Sequence, residues 1–155
     1  MKVYQVLFLC SGNSGRSIMG EAILTRVGGE RFRACSAGSH PTGRVNPLTF
    51  NELTRRGYPP HGLTSKSWTQ FSHADAPQFD YVIWVCESAA GEDAPVWRGR
   101  PQHLHWQLPA PGQVSGSDQN IRAAFTSVCA QVEEAVTRFV HETLATEPET
   151  ALSAR

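Results

Sequence analysis

Residues Val6 to Ser17 read Val-Leu-Phe-Leu-Cys-Ser-Gly-Asn-Ser-Gly-Arg-Ser, and this stretch constrains the chain more than any other. An apolar run ends at Cys10, five small residues follow (Ser11, Gly12, Asn13, Ser14 and Gly15), and Arg16-Ser17 opens a helical pattern. A strand-to-helix turn of that length can curl around a tetrahedral oxyanion, with backbone N–H groups pointing inward at the positive end of a helix dipole. Cys10 stands at the floor of such a cradle. The same field lowers a thiol pKa, so the sequence predicts a Cys10 thiolate near neutral pH, acting as a nucleophile. Arg16 offers a planar fork of donors matched to two oxygens of a phosphate-like ion. Ser17 can donate its hydroxyl to the thiolate. A Gly-rich first turn is common in doubly wound α/β domains, and a cysteine at a strand end is often only a small buried hydrophobe. Cys, five residues, then Arg-Ser, directly after an N-terminal apolar run, is far more specific.

The rest of the chain alternates strand and helix patterns. Strands are expected near residues 3–9, 31–36, 81–86 and 103–106. Helices are expected from Ser17 to the Gly28-Gly29 stop, over 47–56, briefly around 67–71, and after Asp118. In the last of these, Ile121, Phe125, Val128, Val132, Val136 and Phe139 recur at helical spacing, with Cys129 beside them as a core residue. Such alternation predicts one α/β domain over residues 1–145, a four-stranded parallel sheet with right-handed crossovers, and a flexible polar tail over 146–155. Ligands in such sheets bind at the carboxyl ends of the strands. Cys10 and Cys86 end the first and third strands, so they share a rim if those strands are neighbours.

Charge narrows the partners. Lys+Arg and Asp+Glu both number 14, so the net charge is zero, which argues against nucleic-acid and membrane-surface binding. No apolar run is long enough to span a bilayer and no basic leader opens the chain, so a cytoplasmic location is expected. The four cysteines, Cys10, Cys35, Cys86 and Cys129, are spaced unlike a metal-binding set, and no metal is expected. In a reducing cytosol they are free thiols at rest, and any disulfide among them is transient and functional.

Beyond Cys10–Ser17, the chain carries Ser36-Ala37-Gly38, Val45-Asn46-Pro47, Ser65-Lys66, Asp80-Tyr81-Val82-Ile83, Val85-Cys86, Gly91-Glu92, Pro95-Val96-Trp97, Gly99, His105-Trp106 and Gly116-Ser117. With these motifs it resembles the arsenate reductases built on the low-molecular-weight tyrosine phosphatase fold, over nearly its whole length to about His141. The early loop is shared with the phosphatases, while the block around Cys86 and His105-Trp106 resembles the reductase branch. The resemblance implies a three-layer α/β fold and a redox relay. Cys10 attacks arsenate held by the loop and Arg16, Cys86 attacks the Cys10 sulfur, arsenite leaves, and a Cys10–Cys86 disulfide remains. An external thiol donor, whether thioredoxin, glutaredoxin with glutathione, or mycothiol, then restores the thiols.

Three positions depart from the family pattern. Ala94 stands where many thioredoxin-coupled members have a third cysteine, Ala110 where the family has an Asp general acid, and Gly15 where a second loop cysteine is usual. Reduced or altered activity is therefore expected, since a positioned acid is typically worth about 10²–10⁴-fold in rate. Asp118 and Glu87 are the nearest acids in sequence. Glu21 and Ser36 match positions that hold potassium in some members, but Lys66 replaces an acid there, against a cation site. Asn13 is expected to brace the loop. Arg98, Arg100, His103 and His105 form a basic stretch that reads as a solvated loop, and His105-Trp106 as strand-end packing. Two other readings stay open: a non-catalytic or sensory oxyanion-binding protein that has lost the acid, and a phosphotyrosine phosphatase.

Overall fold

Strand β1 (Tyr4–Cys10) is almost wholly buried, because it runs through the middle of the sheet with both faces covered. The computed structural model describes residues 1–86 and 94–147. Within it, β2 (Phe32–Gly38) lies on one side of β1, β3 (Tyr81–Trp84) on the other, and β4 (Gln102–His105) at the far edge. The order is β2-β1-β3-β4, and every pair is parallel.

Among the described residues, three α-helices complete the frame: α1 (Arg16–Val27), α2 (Pro47–Arg55) and α3 (Asp118–Ala145). Their starts are chemically explicit. Asn46 caps α2 by accepting from the Leu48 N–H at 2.9 Å, with Pro47 at the first position, and Ser117 caps α3 by accepting from the Asn120 N–H at 3.1 Å. Single 3₁₀ turns occupy Gly29–Arg31, Trp68–Phe71 and Pro111–Gln113.

The sheet separates two layers. On one face α1 comes so close that a Cβ on Gly20 would lie 2.6 Å from the Phe8 ring, so only glycine fits there. Phe139 of α3 joins the same face, with ring centroids 5.0 Å from Tyr81 and 5.7 Å from Phe32. On the opposite face Trp68 stands edge-on to Trp84 and to Trp97, at 6.3 Å in each case. Ile18, Met19, Ile23 and Leu24 of α1 are fully buried, each contributing roughly 1.5–3 kcal/mol. The result is the expected three-layer α/β architecture.

The differences from the expected boundaries are local. β1 extends to Cys10 because Cys10 pairs with Gly38, and β2 correspondingly runs to Gly38. β3 stops at Trp84, two residues before Cys86, although the Val85 N–H still donates to the Leu9 carbonyl at 2.9 Å. β4 begins one residue early and ends at His105, and the short helix around 67–71 is a 3₁₀ turn. Cys129 is buried in α3 with Phe125, Val128, Val132, Val136 and Phe139, whereas Ile121 is half-buried. Past α3, Glu147 accepts from the Tyr4 hydroxyl at 2.9 Å and pairs with Arg31. Residues 148–155, the rest of the expected tail, lie outside those described, as do Glu87, Gly91 and Glu92.

Candidate functional site

The loop after β1 is held from outside by its carbonyls. The Ser11 carbonyl accepts from the His40 N–H at 2.9 Å, Gly12 from Thr42 N–H at 3.1 Å, and Ser14 from Asn46 N–H at 3.0 Å. The Ser65 and Thr49 hydroxyls add bonds to Gly12 and Ser14, at 3.1 and 2.9 Å. In a planar trans peptide the N–H points opposite to the C=O. Gly12, Asn13 and Gly15 therefore turn their N–H groups away from these donors, toward the hollow above Cys10. That hollow, about 240 Å³, is lined by Cys10, all of Ser11–Arg16, Asn46, Ala110–Gln113 and Phe125. It stands at the N-terminus of α1, where the dipole favours an anion.

Asn13 is the brace the sequence suggested. It takes φ 47°, the one left-handed non-glycine among the described residues, and it is fully buried. Its amide donates to Ser17 Oγ at 2.8 Å and to Ser36 Oγ at 3.0 Å, and its oxygen accepts from the Lys66 N–H at 2.9 Å. The direction of these bonds matters. An amide NH₂ can only donate, so both serines accept from it and must spend their own protons elsewhere. Ser36 donates to Glu21 Oε1 at 2.6 Å. Ser17 Oγ lies 2.9 Å from Cys10 Sγ, a hydrogen-bond distance for hydroxyl and sulfur. Lys66 Nζ stands 3.8 Å from Glu21 Oε1, placing an ammonium beside that carboxylate.

Cys10 and Cys86 meet. They are 4% and 7% exposed, and β1 and β3 are adjacent and parallel, so the two thiols share the rim. Ser11 Oγ lies 4.0 Å from Cys86 Sγ. The contact corrects the expected low Cys10 pKa. A hydrogen bond with Cys86 and burial push the Cys10 thiol well above its ordinary value, while Ser17 pulls the other way. The sequence reading weighed the loop field on a lone thiol, and the structure places a second thiol against it. Cys35 and Cys129 are raised to about 11, chiefly by burial, and neither lines the hollow or the cavity beside it.

Arg16 is anchored by its own backbone surroundings. Its Nη1 donates to the Leu108 carbonyl at 2.9 Å and the Val85 carbonyl at 3.3 Å. These bonds hold the guanidinium between the Cys10 hollow and a second cavity of about 450 Å³. That cavity is lined by Arg16, Cys86, Gln107, Leu108, Pro109, Ala110 and Gln113. Ala110 lines both spaces, so the position implied for a general acid does face the site, but with a methyl group. No carboxylate lines either cavity among the described residues. Asp118 sits exposed at the start of α3, away from both, and Glu87 lies outside the described residues. The basic stretch is bound into structure. Arg98 donates to the Ala76 carbonyl at 2.6 Å, Trp84 donates to His103 at 3.0 Å, and His105 stacks on Trp84. Of the remaining lining residues, Gln113 was not singled out by the sequence, Phe125 was read only as helix core, and Asn46 only as part of a family motif. They arrive from distant elements, and only the capping role of Asn46 had a local signal.

A thiol at the end of a parallel strand, a loop whose Ser11, Gly12 and Ser14 carbonyls are bonded outward, and an anchored arginine at a helix start enclose a small hollow in an α/β frame. The chain belongs to the low molecular weight phosphotyrosine protein phosphatase family, whose profile matches residues 5–150. Among curated relatives, it is 28% identical to an arsenate reductase of Halalkalibacterium halodurans over 134 residues, 86% of this chain and 93% of the relative. It is also 28% identical to a glutaredoxin arsenate reductase of Synechocystis over 136 residues, 88% of this chain and 95% of the relative. A solved arsenate reductase in its phosphate-binding state superposes with a TM-score of 0.73 at 27% identity, covering 90% of this chain and 98% of the other.

Proposed function

We propose that this protein reduces arsenate to arsenite, with Cys10 as nucleophile, Arg16 and the Ser11–Gly15 loop as oxyanion clamp, Ser17 as hydrogen-bond donor to the sulfur, and Cys86 as resolving thiol. The observation that carries this reading is the contact of two buried thiols, of which Cys10 lines the oxyanion hollow and Cys86 the cavity beside it. A phosphatase needs the first thiol only. In the reaction, Cys10 sulfur bonds to arsenic and an arsenate oxygen departs as water, taking its proton from Cys10 or from arsenate itself. Cys86 thiolate then attacks Cys10 Sγ. The S–As bonding pair stays on arsenic, which falls from As(V) to As(III), and the two thiols become a disulfide. The names of the curated relatives support the substrate.

An external thiol donor must return two electrons, and a reducing cytoplasm suits a protein whose four cysteines are all free. The test is arsenite release with thioredoxin, glutaredoxin plus glutathione, or mycothiol supplied in turn. The proposal expects release with at least one donor and its loss in Cys86→Ser. Release undiminished in Cys86→Ser would remove Cys86 from the relay. One observation favours a second reading. The methyl of Ala110 at the hollow fits an oxyanion-binding protein without turnover, in which arsenate or phosphate protects Cys10 from alkylation but no arsenite appears.

A further inference from the structure

Two links run from Lys66 toward the Cys10 loop, and they leave from different parts of the residue. Its backbone N–H donates to Asn13 Oδ1 at 2.9 Å, and its carbonyl accepts from the Gly38 N–H at 2.9 Å, which ties this segment between the loop and the end of β2. Its ammonium donates to the Thr64 carbonyl at 2.6 Å and stands 3.8 Å from Glu21 Oε1. The Lys66 and Glu21 side chains are only 15% and 16% exposed, so solvent and salt screen the pair little. An ammonium held there gives up hydration, and the chemistry assigned to Cys10 makes no use of its charge.

We infer that Lys66 is a positioning residue for the Cys10 site, whose ammonium acts through Glu21 and Ser36 to hold the Asn13 amide and, through it, the Ser17 hydroxyl beside the sulfur. The inference rests on the proposed role of Cys10 as nucleophile and adds a residue outside the lining of the hollow. Asn13 needs holding, since φ 47° is a left-handed conformation that an L-residue adopts at a cost. The bond directions supply the hold. The two hydrogens of Asn13 Nδ2 go to Ser17 Oγ at 2.8 Å and Ser36 Oγ at 3.0 Å, and Ser36 gives its own proton to Glu21 Oε1 at 2.6 Å.

An ionised carboxylate only accepts, whereas a protonated one could donate to Ser36 and compete with Asn13 for its lone pairs. Burial favours the protonated form of Glu21, and the Ser36 hydroxyl and the Lys66 charge oppose it. The ammonium therefore keeps the bonds running one way, from Asn13 to Ser36 to Glu21. Cys35 of β2 faces the same pair and, with its thiol raised to about 11, brings no charge near neutral pH. At the other end, Ser17 Oγ is 2.9 Å from Cys10 Sγ, and its hydrogen bond pulls the Cys10 pKa down. A hydroxyl that accepts from an amide becomes a better donor, so loss of the Asn13 bond weakens what Ser17 gives the thiolate.

The test follows iodoacetamide alkylation of Cys10 against pH, read by mass spectrometry, in the reduced full chain and in Lys66→Ala, Glu21→Gln and the double variant. Lys66→Ala should raise the midpoint by about one pH unit, a tenfold loss of thiolate and the order of one charge-assisted hydrogen bond. Glu21→Gln should shift it the same way, and the double variant no further than the larger single shift, because both act through one carboxylate. Methylammonium chloride, against sodium chloride at equal ionic strength, should return Lys66→Ala toward the parent and leave Glu21→Gln unmoved. Lys66→Met keeps the stem without the charge and carries the same expected midpoint, so a fold weakened by the missing stem is told apart from a missing charge. An unchanged midpoint, shifts that add in the double variant, or indifference to methylammonium would overturn the inference. Arsenite release absent from the parent would instead remove the relay and leave this measurement standing, because alkylation uses no arsenate.

Discussion

In the proposed relay Cys10 is the nucleophile, and a hydrogen bond with Cys86 raises its thiol pKa. Because the Cys86 thiol and burial raise Cys10, the pair titrates together rather than as two independent groups. Cys86→Ala removes one of the raising causes. The alkylation of Cys10, followed against pH with iodoacetamide and read by mass spectrometry, should then move its midpoint to lower pH. A midpoint that stays or rises would show that Cys86 does not govern it. Ala110 is the second residue whose substitution is informative, since its methyl faces both cavities. Ala110→Asp should raise turnover by on the order of 10²-fold, the lower end of what a positioned acid supplies. Arsenate affinity should change little, because the acid acts on the departing oxygen in the transition state. Equal turnover in the two proteins would mean that the proton already reaches that oxygen by another route.

At the level of elements, β1, α1, β2 and the segment before Trp68 are tied through one polar chain: Cys10, Ser17, Asn13, Ser36, Glu21, Lys66. Burial raises the Glu21 carboxyl, against the Ser36 hydrogen bond and the Lys66 charge, which lower it. A carboxyl raised in the fold costs stability once ionised. Its contribution is whole below the unfolded value near 4.5 and is lost as pH climbs through the raised folded value. Lys66→Met removes a lowering cause and enlarges that loss. The variant should therefore fall further below the parent in Tm at pH 7 than at pH 4, measured by thermal denaturation at both. An equal deficit at the two pH values would show that the Lys66 ammonium does not act on Glu21. The sequence made the Cys10 end of this chain legible but not the rest. Cys10, Arg16 and Ser17 announce themselves by spacing, and the apolar run of β1 places them. Glu21, Ser36 and Lys66 were grouped only through the family resemblance, as a cation position that Lys66 argues against, because what joins them is the crossing of β2 under the loop. There Gly38 lies so close that a Cβ would sit 2.3 Å from the Ser11 carbonyl. The Cys86 contact was foreseeable as a shared rim, yet its effect on Cys10 was not, since a pKa depends on sub-ångström placement rather than on strand order.

Taken as a whole molecule, the sheet order β2-β1-β3-β4 turns two cysteines 76 positions apart in sequence into one site, as Cys10 and Cys86 follow adjacent parallel strands. α3 holds that arrangement from one face through Phe139, and α2 from the loop side, where Arg55, Arg56 and Thr126 all meet Glu52. Cys35 and Cys129 are set apart, in β2 and α3, and neither lines the hollow or the cavity beside it. The central claim is that the paired thiols, and no others, supply the two electrons that reduce arsenate. A single-turnover measurement tests it most directly: the fully reduced protein, without oxygen or any donor, is mixed with excess arsenate, and arsenite, free thiols and disulfides are quantified together. The account predicts one arsenite per chain, the loss of two of the four thiols, and a Cys10–Cys86 disulfide. Arsenate bound with all four thiols still titratable and no arsenite released would contradict it.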